Sequence, residues 1–81
     1  MGKISEKELL AVIQKALNLG DGKITMESSI RNVEAWDSLG HLGILVALDK
    51  LFEGRVASIK EMAGADSVQK ITFLLKDNNL I

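Results

Sequence analysis

The chain has no cysteine, no tyrosine and a single histidine. Without cysteine it has neither a disulfide framework nor a thiolate metal site, and one histidine alone does not make a zinc site. The large aromatic residues are few, namely Trp36, Phe52 and Phe73. A chain of 81 residues must therefore build its core mainly from aliphatic side chains, and a hydrophobic content of 47% supplies them. We expect a single domain over residues 1–81.

Neither sign of charge dominates the sequence. Ten basic residues against eleven acidic ones leave a net charge of −1, and no basic face that would bind nucleic acid is apparent. Apolar runs such as residues 44–48 are far too short to cross a bilayer. The opening residues MGKISEKE contain no apolar stretch typical of a secretory signal. We therefore expect a cytoplasmic protein that neither binds nucleic acid nor inserts into a membrane.

The first helix is indicated by a complete start signal. Ser5 and Glu8 have the spacing of a capping box, in which each side chain accepts a hydrogen bond from the other residue's backbone N–H. Apolar residues then recur at helical spacing from Leu9 onward. We expect this helix to end near Leu19, with Gly20 as the left-handed residue that terminates it.

Residues 23–36 show no helical or strand period. Fourteen residues form a long connection in a chain of this size, and such loops are usually either functional or packed down by their own side chains. Our interpretation is that the irregularly spaced apolar residues here, which include Ile24 and Trp36, close one end of the core.

A second helix is predicted over residues 38–53, with Asp37 as its N-cap. Its apolar residues cover more than one face, so the helix is central or lines a groove. Gly40 and Gly43 are unexpected, because each costs about 1 kcal/mol relative to alanine inside a helix. Close approach by another chain would be one reason to tolerate them.

The rest of the chain predicts a short helix and a longer one. Gly54 ends the second helix, and a short third helix is plausible over residues 58–63. The last helix is expected to begin at Asp66, where Asp66 and Gln69 repeat the capping-box spacing. Residues 76–81 are predicted to form a fraying tail. No strand pattern or internal repeat appears.

The segment WDSLGH has three interpretations. In the first, Asp37 or Ser38 only caps a helix. In the second, Ser38 is a hydrolase nucleophile with His41 as base and Asp37 as orienting acid. The spacing argues against this, because Asp37 is adjacent to Ser38 and cannot also lie behind a ring three residues beyond it, and the G-x-S-x-G elbow is absent. His41 is then most simply an exposed helical residue.

The third interpretation uses the start of the second helix itself. The first N–H groups of a helix lack internal acceptors, and the aligned peptide dipoles leave about half a positive charge there. Such a terminus favours a phosphate group. The Ser38 hydroxyl is therefore well placed to carry a phosphodiester, as a point of attachment rather than as a nucleophile.

A capped first helix, a long loop, the WDSL junction, the segment VALDKLFEGRV and DSVQKI before the last helix together resemble an acyl carrier protein. The similarity covers nearly the whole chain. It implies an all-α four-helix bundle and a 4′-phosphopantetheine arm, which a phosphopantetheinyl transferase attaches to Ser38 from coenzyme A. The thiol of that arm would hold acyl groups as thioesters. The reactive sulfur would therefore belong to the prosthetic group, and the chain itself would need no cysteine.

The same resemblance implies roles for particular residues. Ser38 matches the attachment serine, Asp37 the acid before it, and Leu39 a hydrophobic contact for partner enzymes. Carriers of this family also shelter acyl chains between their second and third helices. The candidates for that lining are Leu42, Leu48, Val56 and Met62, each of which is at least as well explained as ordinary core.

The sequence departs from the family pattern in its charge. Carriers of primary fatty-acid synthesis are typically acidic, with carboxylates where this chain has Gly40 and Gly43. Their partner enzymes dock through basic patches, and complementary charge sets encounter rate and partner choice. We therefore expect a specialised carrier for a polyketide, a modified lipid, a polysaccharide decoration or an aminoacyl unit.

The resulting prediction is a monomeric carrier that is not itself an enzyme. Its partners would be the transferase, an acyl-loading enzyme, and condensing or acyltransferase enzymes. The alternative is a small helical protein-interaction domain without a prosthetic group, in which Ser38 is only a helix-start residue.

Overall fold

Helices make up the regular secondary structure of this chain. The computed structural model describes residues 4–20 and 22–81. For these residues the expectation of an all-α protein is confirmed, since the sole pairing of extended backbone is an isolated bridge between Ser29 and Ser67. None of the helices in this part of the chain has the length and apolar character needed to cross a membrane. The elements are α1 (Glu6–Ala16), α2 (Ser38–Leu51), the 3-10 helix (Lys60–Gly64) and α3 (Val68–Asp77).

The first two α-helices begin at the caps that the sequence predicts. The Ser5 hydroxyl accepts a hydrogen bond from the Glu8 N–H at 3.2 Å, and the Glu8 carboxylate accepts one from the Ser5 N–H at 3.3 Å, which completes the capping box. The Asp37 side chain caps α2. These starts were predictable because the donor and acceptor lie within three residues of each other.

The predicted cap of the last helix was wrong by one residue. Ser67 caps α3, and its hydroxyl accepts a hydrogen bond from the Lys70 N–H at 3.1 Å. Asp66 lies just before the cap, and its backbone carbonyl accepts a hydrogen bond from the Ile30 N–H at 3.0 Å. This pairing with the distant loop sets where α3 begins.

The helices α1 and α2 end earlier than predicted, at Ala16 and Leu51, whereas α3 runs to Asp77, into the predicted tail. The prediction of Gly20 as the left-handed terminator of α1 was wrong, because the chain turns left-handed before it. The Leu19 N–H bonds to the Gln14 carbonyl at 3.0 Å, the hydrogen bond typical of a Schellman motif. Gly54 does close the turn after α2, since it is left-handed with φ of 86° and its N–H bonds to the Asp49 carbonyl at 2.7 Å. The left-handed residues other than glycine that follow α1, α2 and α3 are Asn18, Glu53 and Asn79, with φ of 60°, 56° and 60°.

One cluster of buried apolar side chains joins the helices. Leu9 and Ile13 of α1 and Ile44 and Leu48 of α2 are completely buried. Burying a side chain of this size stabilises the fold by about 1.5–3 kcal/mol. The last residues also join this cluster, since Leu80 and Ile81 are partly buried against it. The prediction of a fraying tail was therefore wrong for them. The contributions of α3 are Val68, Ile71, Leu74 and Leu75.

The long loop between α1 and α2 packs onto the helices, as predicted. Ile24 and Trp36 are buried in the core cluster. The middle of the loop is tied to the start of α3, because the Val68 N–H donates to the Ser28 carbonyl at 3.0 Å. This anchoring fixes the direction in which the chain enters α2.

The predicted short helix over residues 58–63 is found as the 3-10 helix, shifted toward the C-terminus. Ile59 precedes it and provides no side-chain cap. Its turns are closed by i to i+3 hydrogen bonds, such as that from the Ala65 N–H to the Met62 carbonyl at 3.1 Å. A segment with so few hydrogen bonds of its own depends on its contacts with α2 and α3.

Gly40 lies where α2 meets the end of the loop. A Cβ atom built there would overlap the Ala35 carbonyl oxygen and lie 2.8 Å from Cδ2 of Leu17. A Cβ atom at Gly43 would meet only the Ala16 carbonyl oxygen, at an ordinary 3.5 Å. The close approach that requires Gly40 is therefore made by the protein's own loop rather than by another chain.

This contact predicts opposite effects for two alanine substitutions. Gly40→Ala should lower the free energy of unfolding by about 1–3 kcal/mol, because the loop backbone must move to make room. Gly43→Ala is the matched control and should raise it by up to about 1 kcal/mol through helix propensity. Urea unfolding followed by circular dichroism measures both. Equal stabilities for the two variants would contradict the close approach at Gly40.

Candidate functional site

Ser38 is the first residue of α2, as predicted, and it is exposed to solvent. In the part of the chain that the structure describes, its hydroxyl makes no hydrogen bond. The neighbouring Asp37 and Leu39 are exposed as well, and Leu39 keeps 79% of its surface accessible. The three residues predicted to form the attachment site thus lie together on the surface.

Asp37, rather than Ser38, caps α2. Its Oδ1 atom accepts a hydrogen bond from the Gly40 N–H at 2.8 Å, and its backbone carbonyl accepts one from the His41 N–H at 2.8 Å. The N–H groups of Ser38 and Leu39 have no acceptor within the helix, which leaves the positive end of the helix dipole beside the Ser38 hydroxyl. An anion bonded to that oxygen would be stabilised there.

A hollow of about 520 Å³ opens next to Ser38. The start of α2 forms one side of it, and Ala63, Gly64 and the residues just after them form the other. Two exposed carboxylates, those of Asp37 and Asp66, line it, and no lysine or arginine does. These charges favour a neutral ligand in this hollow over an anionic one.

A chain of hydrogen bonds runs behind this hollow. Trp36 is buried, and its indole N–H donates to Nδ1 of His41 at 3.0 Å. The other ring nitrogen of His41, Nε2, lies 2.8 Å from the backbone carbonyl oxygen of Met62. His41 is therefore half-buried and bonded on both sides, so the expectation of an exposed helical residue was wrong.

The two partners of His41 determine its tautomer. Because Nδ1 accepts from Trp36, the proton of the neutral ring is on Nε2, which donates to Met62. The rings of Trp36 and His41 are within 16° of parallel, with centroids 6.1 Å apart. This is the geometry of a hydrogen bond in the plane of both rings rather than of face-to-face stacking. With both nitrogens engaged, His41 has none directed at the Ser38 hydroxyl, which a serine hydrolase would need.

A second hollow of about 490 Å³ lies between α2 and the 3-10 helix. Of the predicted groove residues, Val56 and Met62 line it. Leu48 is fully buried in the core, and Leu42 is 57% exposed on the outer side of α2. Neither of these two is part of the lining. The other residues that line this hollow are Leu45, Val46, Asp49, Lys50, Ala57, Ile59, Lys60 and Ala63.

The outer face of α2 is apolar and has no charge over its first ten residues. Leu39, Leu42 and Val46 are 79%, 57% and 49% exposed, and their spacing places them on one side of the helix. Between Ser38 and Ala47 there is no aspartate, glutamate, lysine or arginine. Exposed apolar residues in a row of this kind mark a surface for another molecule.

The role of His41 was missed in the sequence, although two signals were present. The only histidine follows the only tryptophan by five residues, at the start of a helix that is otherwise uncharged there. A buried indole N–H needs an acceptor, and His41 is one of the side chains near Trp36 in the sequence that can provide one. The hydrogen bond to the Met62 carbonyl, by contrast, could not be predicted from the sequence, because every residue has a backbone carbonyl group.

Comparison of the chain with models of protein families, with curated proteins and with solved structures found no match.

The cap at Asp37 predicts a difference between two neighbouring alanine substitutions. Asp37→Ala should lower the free energy of unfolding by about 1 kcal/mol, because the Gly40 N–H loses its acceptor. Ser38→Ala should change it by less than about 0.5 kcal/mol, because the exposed hydroxyl makes no hydrogen bond to any residue that the structure describes. Chemical unfolding of both variants under one buffer condition makes the comparison. A Ser38→Ala variant as unstable as Asp37→Ala would assign Ser38 a structural role.

Proposed function

We propose that this chain is a monomeric, cytoplasmic carrier protein of the acyl-carrier type, in which the 3-10 helix is the short third helix of a four-helix bundle. Ser38 would bear a 4′-phosphopantetheine arm, and the chain itself would catalyse no reaction. The observation that carries this proposal is the free, exposed Ser38 hydroxyl at the start of α2. Since Asp37 provides the cap, the Ser38 hydroxyl is not needed to stabilise the start of α2 and is available for modification.

The surroundings of Ser38 fit such an arm in two respects. A phosphodiester on the Ser38 oxygen would lie in solvent, near the N–H groups that begin α2. The hollow beside it, lined by the two carboxylates and by apolar residues such as Ala63, suits the uncharged part of the arm better than its phosphate. During attachment the Ser38 oxygen would form the new phosphoester bond and lose its proton to the transferase, while the nucleotide part of coenzyme A leaves.

The hollow between α2 and the 3-10 helix is the place where a carried group would be sheltered. Val56 and Met62 contribute apolar surface there, as does Val46. When bound, the arm would supply a thiol that holds the group as a thioester. The protein's own contribution would be to hold the group out of water, which slows hydrolysis.

The uncharged outer face of α2 favours a specialised pathway. A partner surface rich in lysine and arginine would find no carboxylate among the first ten residues of α2. The exposed Leu39 and Leu42 instead suit partner enzymes with an apolar docking surface. Such partners would be the loading, condensing or acyltransferase enzymes of that pathway.

An intact-mass measurement tests the attachment. After incubation with coenzyme A and a phosphopantetheinyl transferase of broad specificity, the protein should gain the mass of one phosphopantetheine unit. Ser38→Ala should gain nothing while keeping the helical circular dichroism spectrum of the unmodified protein. Asp37→Ala is the control that retains the hydroxyl but loses the cap. An unmodified wild-type chain beside a fully modified reference carrier would end the carrier proposal.

The lack of charge on the first ten residues of α2 predicts that the protein works poorly as a carrier in primary fatty-acid synthesis. Loaded with an acyl group, the protein should support elongation by condensing enzymes of that pathway far more slowly than an acidic carrier does. The physical reason is the missing electrostatic attraction, so raising the salt concentration should slow the acidic carrier and leave this chain little changed. Elongation at matched rates, with the same salt dependence, would contradict the specialised role.

The alternative is a small helical interaction domain without a prosthetic group. The row of exposed apolar residues on α2, Leu39, Leu42 and Val46, is the observation that favours it. The intact-mass measurement separates the two functions, because an interaction domain would stay at its unmodified mass.

A further inference from the structure

The two hollows on either side of the 3-10 helix share a wall. Ala63 lines both of them, His41 lines the one beside Ser38, and Met62 lines the other. The hydrogen bond between Nε2 of His41 and the Met62 carbonyl therefore lies between the two hollows, where it joins α2 to the 3-10 helix.

We infer that His41 is a positioning residue that holds the 3-10 helix against α2, keeps the two hollows apart and so limits the size of the group sheltered by the protein. The part of this inference that concerns the sheltered group rests on the proposed function. The part that concerns the 3-10 helix does not.

The 3-10 helix is held by the burial of Met62 in the core and by few hydrogen bonds of its own. Its N-terminal residue has no side-chain cap, and its turns are short. Of the side-chain hydrogen bonds formed in the described residues, only the one from His41 reaches this helix. The Met62 carbonyl accepts two hydrogen bonds, one from His41 and one from the Ala65 N–H at 3.1 Å. Loss of the His41 bond should therefore loosen the turn that the Ala65 bond closes.

His41 is itself held rigidly from the other side. The buried Trp36 indole needs an acceptor for its N–H, and His41 provides it at 3.0 Å. This bond fixes both the orientation of the ring and the tautomer that donates to Met62. Trp36 thus positions His41, and His41 positions Met62.

The division between the hollows has a consequence for the carried group. Ser38 lines the first hollow, and the His41–Met62 hydrogen bond lies between that hollow and the second one. With the hydrogen bond intact, a short acyl or aminoacyl group should enter the second hollow and a long alkyl chain should not. Breaking the bond should join the hollows and admit a longer chain.

Two isosteric substitutions separate the two hydrogen bonds of His41. In His41→Asn, the side-chain oxygen takes the place of Nδ1 and still accepts from Trp36, but nothing reaches Met62. In His41→Gln, the side-chain N–H takes the place of Nε2 and still donates to Met62, but the indole loses its acceptor. Each variant loses one of the two hydrogen bonds and keeps the other, so comparing the two variants assigns an effect to a particular bond.

Hydrogen exchange measured by NMR on the unmodified protein tests the positioning role. In His41→Asn, the Ala65 amide should exchange about fivefold faster than in wild type, the factor expected for one ordinary hydrogen bond, while the Trp36 indole N–H is unchanged. In His41→Gln, the indole N–H should exchange faster and the Ala65 amide should not. Equal behaviour of the two variants at Ala65 would overturn the inference.

The size limit is tested on the modified protein loaded with acetyl or octanoyl groups. In His41→Asn, the octanoyl thioester should be hydrolysed several-fold more slowly than in wild type, with the acetyl thioester unchanged. In His41→Gln, both should behave as in wild type. Octanoyl hydrolysis that is the same in all three proteins would overturn the size limit. If Ser38 accepts no arm, the proposed function fails, and the exchange measurements still decide whether His41 positions the 3-10 helix.

Discussion

The hydrogen bonds from Trp36 through His41 to the Met62 carbonyl connect three parts of the chain that also meet through buried side chains of the core. The indole N–H of Trp36 is buried with the core, where an unpaired donor would cost about 1–3 kcal/mol. Nδ1 of His41 accepts the hydrogen bond from this N–H, and Nε2 donates a second one to the Met62 carbonyl in the 3-10 helix. The end of the loop, the first turn of α2 and the 3-10 helix are thereby held in one arrangement, and both hollows near Ser38 take their shape from it.

Neighbouring residues at the start of α2 have different structural roles. Asp37 caps the helix, and Gly40 allows the loop backbone to approach closely. Trp36 enters the core immediately before them. Since these residues together fix the backbone, Ser38 is left exposed on a rigid helix start with a hydroxyl that contributes nothing to the fold. An attachment point needs this combination, because a modifying enzyme must reach the oxygen without unfolding the site.

The absence of charge along the first ten residues of α2 gives the outer face of this helix an apolar character. Leu39, Leu42 and Val46 form a row on the side of α2 that faces solvent. Such a surface binds through shape and apolar contact, so association would depend little on ionic strength. In the proposed carrier function, the same lack of charge would set this chain apart from acidic carriers and would favour partners with an apolar docking surface.

Local patterns in the sequence were enough to locate the helices and the first two caps, including Asp37 with Ser38 directly after it. Those features depend on hydrogen bonds between residues three or four positions apart, so residue type and spacing determine them. The helix ends were less predictable, because asparagine and glutamate adopted the left-handed turn before the expected glycines.

The meeting of distant segments could be seen only in the folded protein. The Ser67 cap follows from the pairing of Asp66 with Ile30, and Gly40 is explained by the Ala35 carbonyl and Leu17. The role of His41 depends on a backbone carbonyl 21 residues away. Contacts between segments that are far apart in the sequence require no particular residue type at a fixed spacing. The same is true of hydrogen bonds to backbone atoms, because every residue has them. The sequence by itself therefore determined where the exposed hydroxyl stands, and the folded chain decided what surrounds it.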